Sequence, residues 1–153
     1  MFEIKPLSIC NLEEVIGLYK KMIKENIGDE RKADTIDFED RSLRNMLQYS
    51  FDIENDLFYV AYSRNIPIGF IDSTRVCLDG KDDEWYIKSV YLETEFRAKN
   101  YFQQLVMKVE KEARQKSIHT IFSNSLIDDN EADDLWESLG YNFEGKRRVK
   151  VYL

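Results

Sequence analysis

The chain has 153 residues, of which 22 are Lys or Arg and 29 are Asp or Glu, so its formal net charge at pH 7 is −7. This length predicts one domain, residues 1–153, and a hydrophobic content of 43% argues against disorder. Net acidity argues against a nucleic-acid partner, and no apolar stretch approaches the ~20 residues that span a membrane. With no signal-peptide pattern at its beginning, we expect a cytoplasmic protein without a membrane partner.

The first third of the chain is predicted to form one strand and two helices. Residues 2–7 alternate apolar and polar side chains, which predicts a half-buried strand. Asn11 then stands as a helix N-cap with Glu14 as its capping-box partner. Apolar residues recur at helical spacing as far as Gly28, which ends that helix. A second, shorter helix is predicted from Phe38 onward.

The middle of the chain changes to the two-residue period of strands. Apolar and β-branched residues concentrate in three segments, and short polar connections separate them. We expect three consecutive antiparallel strands, over residues 57–62, 66–73 and 84–92.

The last third alternates again between helical and extended patterns. A strand–helix–strand unit after the antiparallel strands requires a parallel pair joined by a right-handed crossover. The predicted elements are a helix over about 98–116, a strand over 118–126, a helix from Asp129 or Asn130 to Gly140, and a strand over 141–153 that bends or forms a hairpin near Gly145.

This order, β-α-α-β-β-β-α-β-α-β, and the residues after Leu92 resemble the GNAT N-acetyltransferase family. In that family a loop of the form Q/R-x-x-G-x-G/A follows the central strand, and its amides hold the pyrophosphate of acetyl-CoA. Here Arg97 matches the first position, while Asn100 and Phe102 occupy the positions of the two small residues. The resemblance implies one domain of the α/β class with a mixed, mostly antiparallel central sheet.

A second stretch carries the same resemblance. GNAT chains often end with a variant of N-x-x-A-x-x-x-Y-x-x-x-G-F, and this chain has Asn130, Ala132, Gly140 and Tyr141 at corresponding positions. The resemblance implies that Asn130 contacts the pantetheine arm of the cosubstrate. Trp136 stands where the family often has the tyrosine that protonates the leaving thiolate, and an indole has no acidic hydroxyl.

The resemblance also implies where acetyl-CoA binds as cosubstrate, with no metal required. Backbone amides at the edge of the central strand would hold the thioester carbonyl and the pantetheine, and the following loop would hold the phosphates. The predicted cofactor-binding residues are Val90, Tyr91, Leu92, Arg97, Ala98, Lys99, Asn100, Tyr101, Phe102 and Asn130.

The general base and the general acid are less defined by the sequence. Glu93 follows the central strand and Asp72 lies on the strand before it, and either carboxylate could accept the proton of an attacking ammonium group. With Trp136 in the family's tyrosine position, three hydroxyl groups remain as candidates for the acid, and the sequence does not distinguish among Tyr91, Tyr101 and Tyr141.

Parts of the sequence are similar to the aminoglycoside 6′-N-acetyltransferases, namely residues 68–75, 86–92 and 147–152. Those enzymes bind polycations, which suits an acidic protein, although Lys88 stands where they commonly carry an acid. The sequence therefore predicts an acetyl-CoA-dependent N-acetyltransferase acting on a primary amine of a small cationic molecule, aminoglycoside-like among others. The alternative is a catalytically degenerate GNAT-fold binding or interaction module. The resemblance implies a homodimer as well.

Overall fold

The computed structural model describes residues 1–27, 36–51, 55–124 and 130–152. Gly28 and Asp129, the predicted end of the first helix and one predicted start of the last, lie outside these ranges. The described residues contain seven strands and four helices in the order β1 (Phe2–Pro6), α1 (Leu12–Ile27), α2 (Ile36–Tyr49), β2 (Asp56–Ser63), β3 (Ile66–Val76), β4 (Glu84–Leu92), a 3-10 turn (Thr94–Phe96), α3 (Tyr101–Gln115), β5 (Thr120–Asn124), α4 (Asn130–Ser138), β6 (Asn142–Glu144) and β7 (Arg147–Val151).

The strands form one mixed sheet in the order β1-β2-β3-β4-β5-β7-β6. Every neighbouring pair is antiparallel except β4 and β5, which run parallel. A parallel pair needs a crossover connection, and α3 supplies it. The predicted α/β class, the mostly antiparallel sheet and the single parallel pair are therefore confirmed. The predicted last strand is a hairpin, because Gly145 turns the chain with φ +66° between β6 and β7.

A β-bulge divides β4 into two halves. Asp72 on β3 pairs with Ser89, whereas the next residue, Ser73, pairs with Ile87. Lys88 is therefore the extra residue of the bulge. Within its described residues, Thr120–Asn124, strand β5 pairs only with the half before the bulge, opposite Trp85 to Ile87. In the described ranges the second half of β4 thus has a strand on one side only, and the sheet opens there.

Each face of the sheet carries its own apolar core. On one face α3 and α4 cover a cluster that includes the fully buried Trp85 and Ile87 of β4. On the other face α1 and α2 cover a cluster that includes Phe58, Val60 and Phe70. Burial of such side chains is the main favourable contribution to folding. Both clusters pack against β4, which fixes the strand on either side of the opening.

The turn between β1 and α1 is ordered differently from the prediction. The Asn11 side-chain oxygen accepts a hydrogen bond from the Ser8 amide at 2.8 Å, and its Nδ2 donates to the Pro6 carbonyl at 3.1 Å. Glu14 accepts a hydrogen bond from the Tyr62 hydroxyl at 3.4 Å. Asn11 thus fastens the turn that precedes α1, and the predicted capping box is not what orders it. Of the helices in the described ranges, none is long and apolar enough to cross a membrane.

Candidate active site

A cleft of about 440 Å³ opens where β4 and β5 separate. The second half of β4 forms one wall, the loop after β4 and helix α3 form another, and α1 and α4 close the ends. Half of the predicted cofactor-binding residues line this cleft, namely Val90, Tyr91, Leu92, Arg97 and Phe102.

The register of β4 directs two backbone amides into the cleft. The Glu93 amide donates to the Ile68 carbonyl at 2.8 Å, which marks a hydrogen-bonded pair with β3. Such pairs alternate along an antiparallel ladder, so the Tyr91 amide also faces β3. The amides of Val90 and Leu92 face the opposite side, where β5 no longer pairs with β4. Two hydrogen-bond donors therefore point into the cleft without a strand to accept them in the described part of the chain.

Arg97 fastens the loop after β4 to the strand and to α1. Its Nε donates to the Leu92 carbonyl at 2.7 Å, and its guanidinium pairs with Glu25 at 2.6 Å. The guanidinium also lies over the Tyr91 ring, 5.6 Å from its centroid. Sequence reasoning missed Glu25, because no local pattern connects two residues that lie 72 positions apart. Arg97 thus holds the rim of the cleft in place.

The N-terminus of α3 stands beside the cleft with its first amides free of helix bonds. The Gln104 amide makes the first such bond, to the Asn100 carbonyl at 3.2 Å, so the amides of residues 101–103 precede it. Asn100 has φ −78° and needs no left-handed conformation, so its side chain at the family's glycine position is not strained. Unpaired amides and the positive end of the helix dipole attract an anion.

Phe102 turns inward and leaves the cleft open. Its ring meets the Trp136 ring edge-on, with centroids 5.2 Å apart and planes at 86°. Trp136 in turn packs edge-on against Tyr141 at 4.9 Å, and both are buried in the core. The large side chain at the family's second small-residue position therefore forms part of the cleft floor.

Four predicted cofactor-binding residues whose side chains are described, Ala98, Lys99, Asn100 and Tyr101, are not part of the cleft lining. Ala98 is exposed, and Lys99 lines a separate depression of about 570 Å³. Tyr101 stacks on Phe2 with ring centroids 3.9 Å apart. Asn130 is the first residue of α4, and its side chain lies outside the described part of the structure. Their roles in binding the cosubstrate stay predictions.

Asp72 is a buried carboxyl immediately behind the cleft. Its accessible fraction is 2%, and its Oδ1 has no hydrogen-bond partner in the described residues. The cation that faces it is Lys88, whose Nζ lies 3.7 Å from Oδ1. Lys88 and the neighbouring Ser89 both line the cleft. Burial raises the pKa of Asp72 to about 6, and the Lys88 ammonium only partly opposes this rise. Asp72 is therefore a better proton acceptor near neutral pH than an exposed aspartate.

Glu93, the other predicted base, points elsewhere. Its carboxylate pairs with the Lys21 ammonium at 2.5 Å, and both residues line the depression that contains Lys99. The structure therefore separates the two predicted bases, and only Asp72 lies directly behind residues that line the cleft. Among the described residues, no group of three or more His, Cys, Asp or Glu side chains could hold a metal ion.

Comparison with known proteins decides the family. Residues 23–141 match the sequence profile of the acetyltransferase (GNAT) family. The chain belongs to this family. Membership confirms the predicted enzyme class, a GNAT-type N-acetyltransferase, and acetyl-CoA is the cosubstrate that GNAT enzymes use. No curated protein matches the chain.

Solved GNAT structures share the fold over nearly the whole chain. The PaiA N-acetyltransferase of Thermoplasma acidophilum, solved with coenzyme A, has a TM-score of 0.79 at 21% identity and covers 99% of each chain. The aminoglycoside N-acetyltransferase AAC(6′)-Iy, also solved with CoA, has a TM-score of 0.76 at 18% identity. The match covers 100% of this chain and 94% of the AAC(6′)-Iy chain. The apo aminoglycoside 6′-N-acetyltransferase AAC(6′)-IG of Acinetobacter haemolyticus has a TM-score of 0.72 at 19% identity, covering 99% and 96%.

The cleft fits the cosubstrate of the GNAT family in its donor chemistry. Pantetheine and the thioester carbonyl accept hydrogen bonds, and the Val90 and Leu92 amides offer donors along one wall. A diphosphate needs unpaired amides and positive potential, and the start of α3 offers both next to this wall. Two features of the chain therefore match two parts of acetyl-CoA.

Of the three tyrosines that are candidates for a general acid in this GNAT chain, one is part of the cleft lining. This residue is Tyr91, and burial raises its pKa, so the phenol keeps its proton at neutral pH. The Tyr141 hydroxyl instead donates to Glu110 at 3.0 Å within the core. Tyr101 lies against Phe2 and does not line the cleft.

Proposed function

We propose that this GNAT protein transfers the acetyl group of acetyl-CoA to a primary amine of a small cationic molecule. The observation that carries the proposal is that, within the described residues, the Val90 and Leu92 amides face the cleft and no strand pairs with them there. An amide aimed at a thioester carbonyl stabilises the negative charge that develops on its oxygen. One such donor is worth about 3–4 kcal/mol of activation free energy.

Bound acetyl-CoA supplies an acyl group that its thioester already activates. The Val90 and Leu92 amides orient that group along the edge of β4, and the α3 N-terminus binds the diphosphate. Arg97 holds the loop between them in place through its hydrogen bonds to the Leu92 carbonyl and the Glu25 carboxylate. Holding the acyl carbon beside an amine supplies much of the rate enhancement, because the reaction no longer depends on a collision in solution.

Proton transfer in the proposed reaction involves Asp72 and Tyr91. The ammonium of the acceptor takes the place of the Lys88 ammonium, which lies 3.7 Å from Asp72 Oδ1 and makes no hydrogen bond to it. Asp72 accepts the proton of this ammonium, and the neutral amine attacks. Tyr91 is the proposed donor to the leaving thiolate, since it is the one of the three candidate tyrosines that is part of the cleft lining. Glu93, the other predicted base, would require a rearrangement that breaks its pair with Lys21.

The cationic class of acceptor is supported by charge and by the neighbouring folds. The net charge of −7 favours the approach of cations, and two of the solved neighbours are aminoglycoside acetyltransferases. An aminoglycoside-like molecule is therefore one of the acceptors to test.

The proposed homodimer would use the free edge of the sheet at β6, where Phe143 is exposed. The cytoplasmic location stays a prediction.

A GNAT-fold binding module without catalysis is the second candidate. It is favoured by the charged groups at the cleft, because Asp72 already faces Lys88 and Arg97 already pairs with Glu25. A protein of this kind would still bind acetyl-CoA or a related molecule, and it would not release free thiol in the presence of amines.

Two measurements separate these functions. Thermal unfolding with and without acetyl-CoA tests binding, and ligand at 100 times its dissociation constant should add about 2.7 kcal/mol of stability. Release of free CoA thiol, followed with a polyamine, an aminoglycoside and a neutral amine, tests turnover. We expect stabilisation, and turnover with at least one cationic amine. Stabilisation without turnover on any amine would support the binding module, and no stabilisation by acetyl-CoA would refute the transferase and leave only a module that binds something else.

Arg97 offers a variant for the same binding assay. Replacing Arg97 by Ala removes a charged hydrogen bond to Leu92, a class of bond worth roughly 1.5–3 kcal/mol. The Arg97→Ala variant should therefore bind acetyl-CoA at least tenfold more weakly. Arg44→Ala removes a comparable arginine pair, with Glu13, far from the cleft lining, and should leave the affinity unchanged.

A further inference from the structure

Lys88 is one of the residues that line the proposed acetyl-CoA cleft. It is the extra residue of the β4 bulge, next to Ser89 and Val90 of the same lining, and its Nζ lies beside Asp72. Residues two apart on a strand are about 7 Å apart. The Lys88 backbone is therefore close to the Val90 amide, which is proposed to hold the thioester carbonyl, and its flexible side chain can span that distance.

The surroundings of Lys88 supply what an amine needs to become a nucleophile. Its Nζ lies 3.7 Å from Asp72 Oδ1, a buried oxygen with no hydrogen-bond partner among the described residues. The lysine side chain itself is 34% exposed, so it is neither locked in the core nor free in solvent. An amine, a carboxylate and an edge that can polarise a carbonyl thus converge on one opening of the sheet.

We propose that Lys88 is an internal acceptor, so that the protein acetylates its own Lys88 when acetyl-CoA is bound and no external amine fills the cleft. This inference rests on the proposed function. An amine held in the cleft reacts without diffusion, which gives it a high effective concentration relative to other lysines. The neighbouring Asp72 carboxylate, which can accept the ammonium proton, distinguishes Lys88 from an ordinary surface lysine.

The reaction is balanced with acetyl-CoA as the only co-reactant. The Lys88 ammonium gives one proton to Asp72, and the neutral Nζ forms a bond to the acetyl carbon. The carbon–sulfur bond breaks, the thiolate of CoA leaves, and the second nitrogen proton goes to that thiolate. Asp72 then releases its proton to water. The products are an amide at Lys88, free CoA and one proton, and nothing is oxidised or reduced.

Acetylation of Lys88 would change the site that produced it. The amide carries no charge, so Asp72 would lose the cation that faces it at 3.7 Å. The acetylated side chain would also occupy part of the cleft. We expect the modified protein to turn over external amines at a different rate from the unmodified protein, and a saturating external amine to slow acetylation of Lys88.

Lys21 provides a matched control within the same chain. Like Lys88 it pairs with one carboxylate, that of Glu93, but it lines the separate depression and not the cleft. Chemical acetylation by acetyl-CoA in solution should therefore modify Lys21 at least as readily as Lys88. Preferential modification of Lys88 identifies a reaction that depends on the cleft.

The test is the mass of the protein after incubation with acetyl-CoA and no added amine. We expect one acetyl group per chain, located on Lys88 by peptide mapping, with a first-order rate that does not depend on protein concentration. Lys88→Arg should abolish it, Lys21→Arg should leave it unchanged, and Asp72→Asn should slow it at least tenfold. The inference would be overturned if the acetyl groups were distributed over the lysines of the folded protein in the same way as over those of the heat-unfolded protein. A rate that rises with protein concentration would overturn it as well.

Failure of this inference can be distinguished from failure of the proposed function. Stabilisation by acetyl-CoA and turnover of an external amine, with Lys88 unmodified, would overturn the inference alone. No stabilisation by acetyl-CoA would overturn both. Thermal unfolding of each variant with acetyl-CoA shows whether the variant still folds and binds, so that loss of acetylation is not mistaken for loss of the fold.

Discussion

Asp72, the proposed base, destabilises the fold because its carboxyl is buried. Its carboxyl is buried with one cation at 3.7 Å and no hydrogen bond to Oδ1 in the described residues. Burial therefore raises its pKa from 3.8 to about 6. Between these two values the folded state binds more protons than the unfolded state, so stability falls as the pH rises through that range.

Asp72→Asn should consequently stabilise the protein at high pH. A rise in pKa from 3.8 to about 6 corresponds to roughly 3 kcal/mol, and the cost is fully present above pH 6. We expect the variant to gain about 1–3 kcal/mol at pH 8 and close to nothing at pH 4. Urea denaturation of both proteins at the two pH values measures this. A variant less stable than the natural protein at pH 8 would mean that the Lys88 pair stabilises the fold.

The sequence could identify Asp72 but not its environment. It is an acid within a predicted strand, which made it a candidate base. The bulge that places Lys88 beside it depends on a one-residue shift between β3 and β4, and no local pattern encodes such a shift. Likewise Arg97 was predicted from its loop position, whereas its partner Glu25 was not. Side-chain chemistry was predictable here, and pairing across elements was not.

At the scale of elements, the contact between β3 and β4 holds the cleft edge in place. Gly69 pairs with Leu92, and a Cβ at this position would strike the Tyr91 carbonyl oxygen and lie 2.7 Å from Leu92 Cδ2. Only a residue without a side chain allows β3 to approach the end of β4 this closely. The position of the Leu92 amide therefore depends on Gly69.

Gly69→Ala should destabilise the fold and weaken acetyl-CoA binding together. Overpacking of this kind costs typically 1–3 kcal/mol, and relief of the clash moves the Val90–Leu92 edge. Chemical denaturation and acetyl-CoA titration measure the two effects. Gly17→Ala is the matched control, because a Cβ there meets nothing within 4 Å and Gly17 lies in α1. The control should gain up to about 1 kcal/mol. Equal stabilities of the two variants would contradict the close approach.

Periodicity predicted elements well and their ends less well. Strand β4 has the predicted bounds, Glu84–Leu92, because its apolar run stops at a polar turn. Helix α3 was predicted from about residue 98 and begins at Tyr101, since the chain first forms the 3-10 turn Thr94–Phe96. That turn has no periodic signature of its own, yet it is what brings Arg97 back to the end of β4.

In the described part of the sheet, the first half of β4 has a strand on both sides and the second half has a strand on one side only. The order of strands and helices predicted this topology, because a parallel pair after an antiparallel run requires a crossover helix. How far β5 pairs with β4 was not predictable, and within the described residues the pairing stops at Ser123, which lines the cleft. Asn100 and Phe102 stand where the family has two small residues, yet the amides of residues 101–103 still precede the first helix bond of α3.

Amide hydrogen exchange at β4, followed by NMR with and without acetyl-CoA, tests whether the edge of β4 binds the cosubstrate. We expect the Val90 and Leu92 amides to exchange rapidly in the free protein and to become protected when acetyl-CoA binds. Tyr91, whose amide faces β3, should be protected in both states. Protection of Val90 and Leu92 before ligand is added, or their continued rapid exchange at saturating acetyl-CoA, would contradict this expectation.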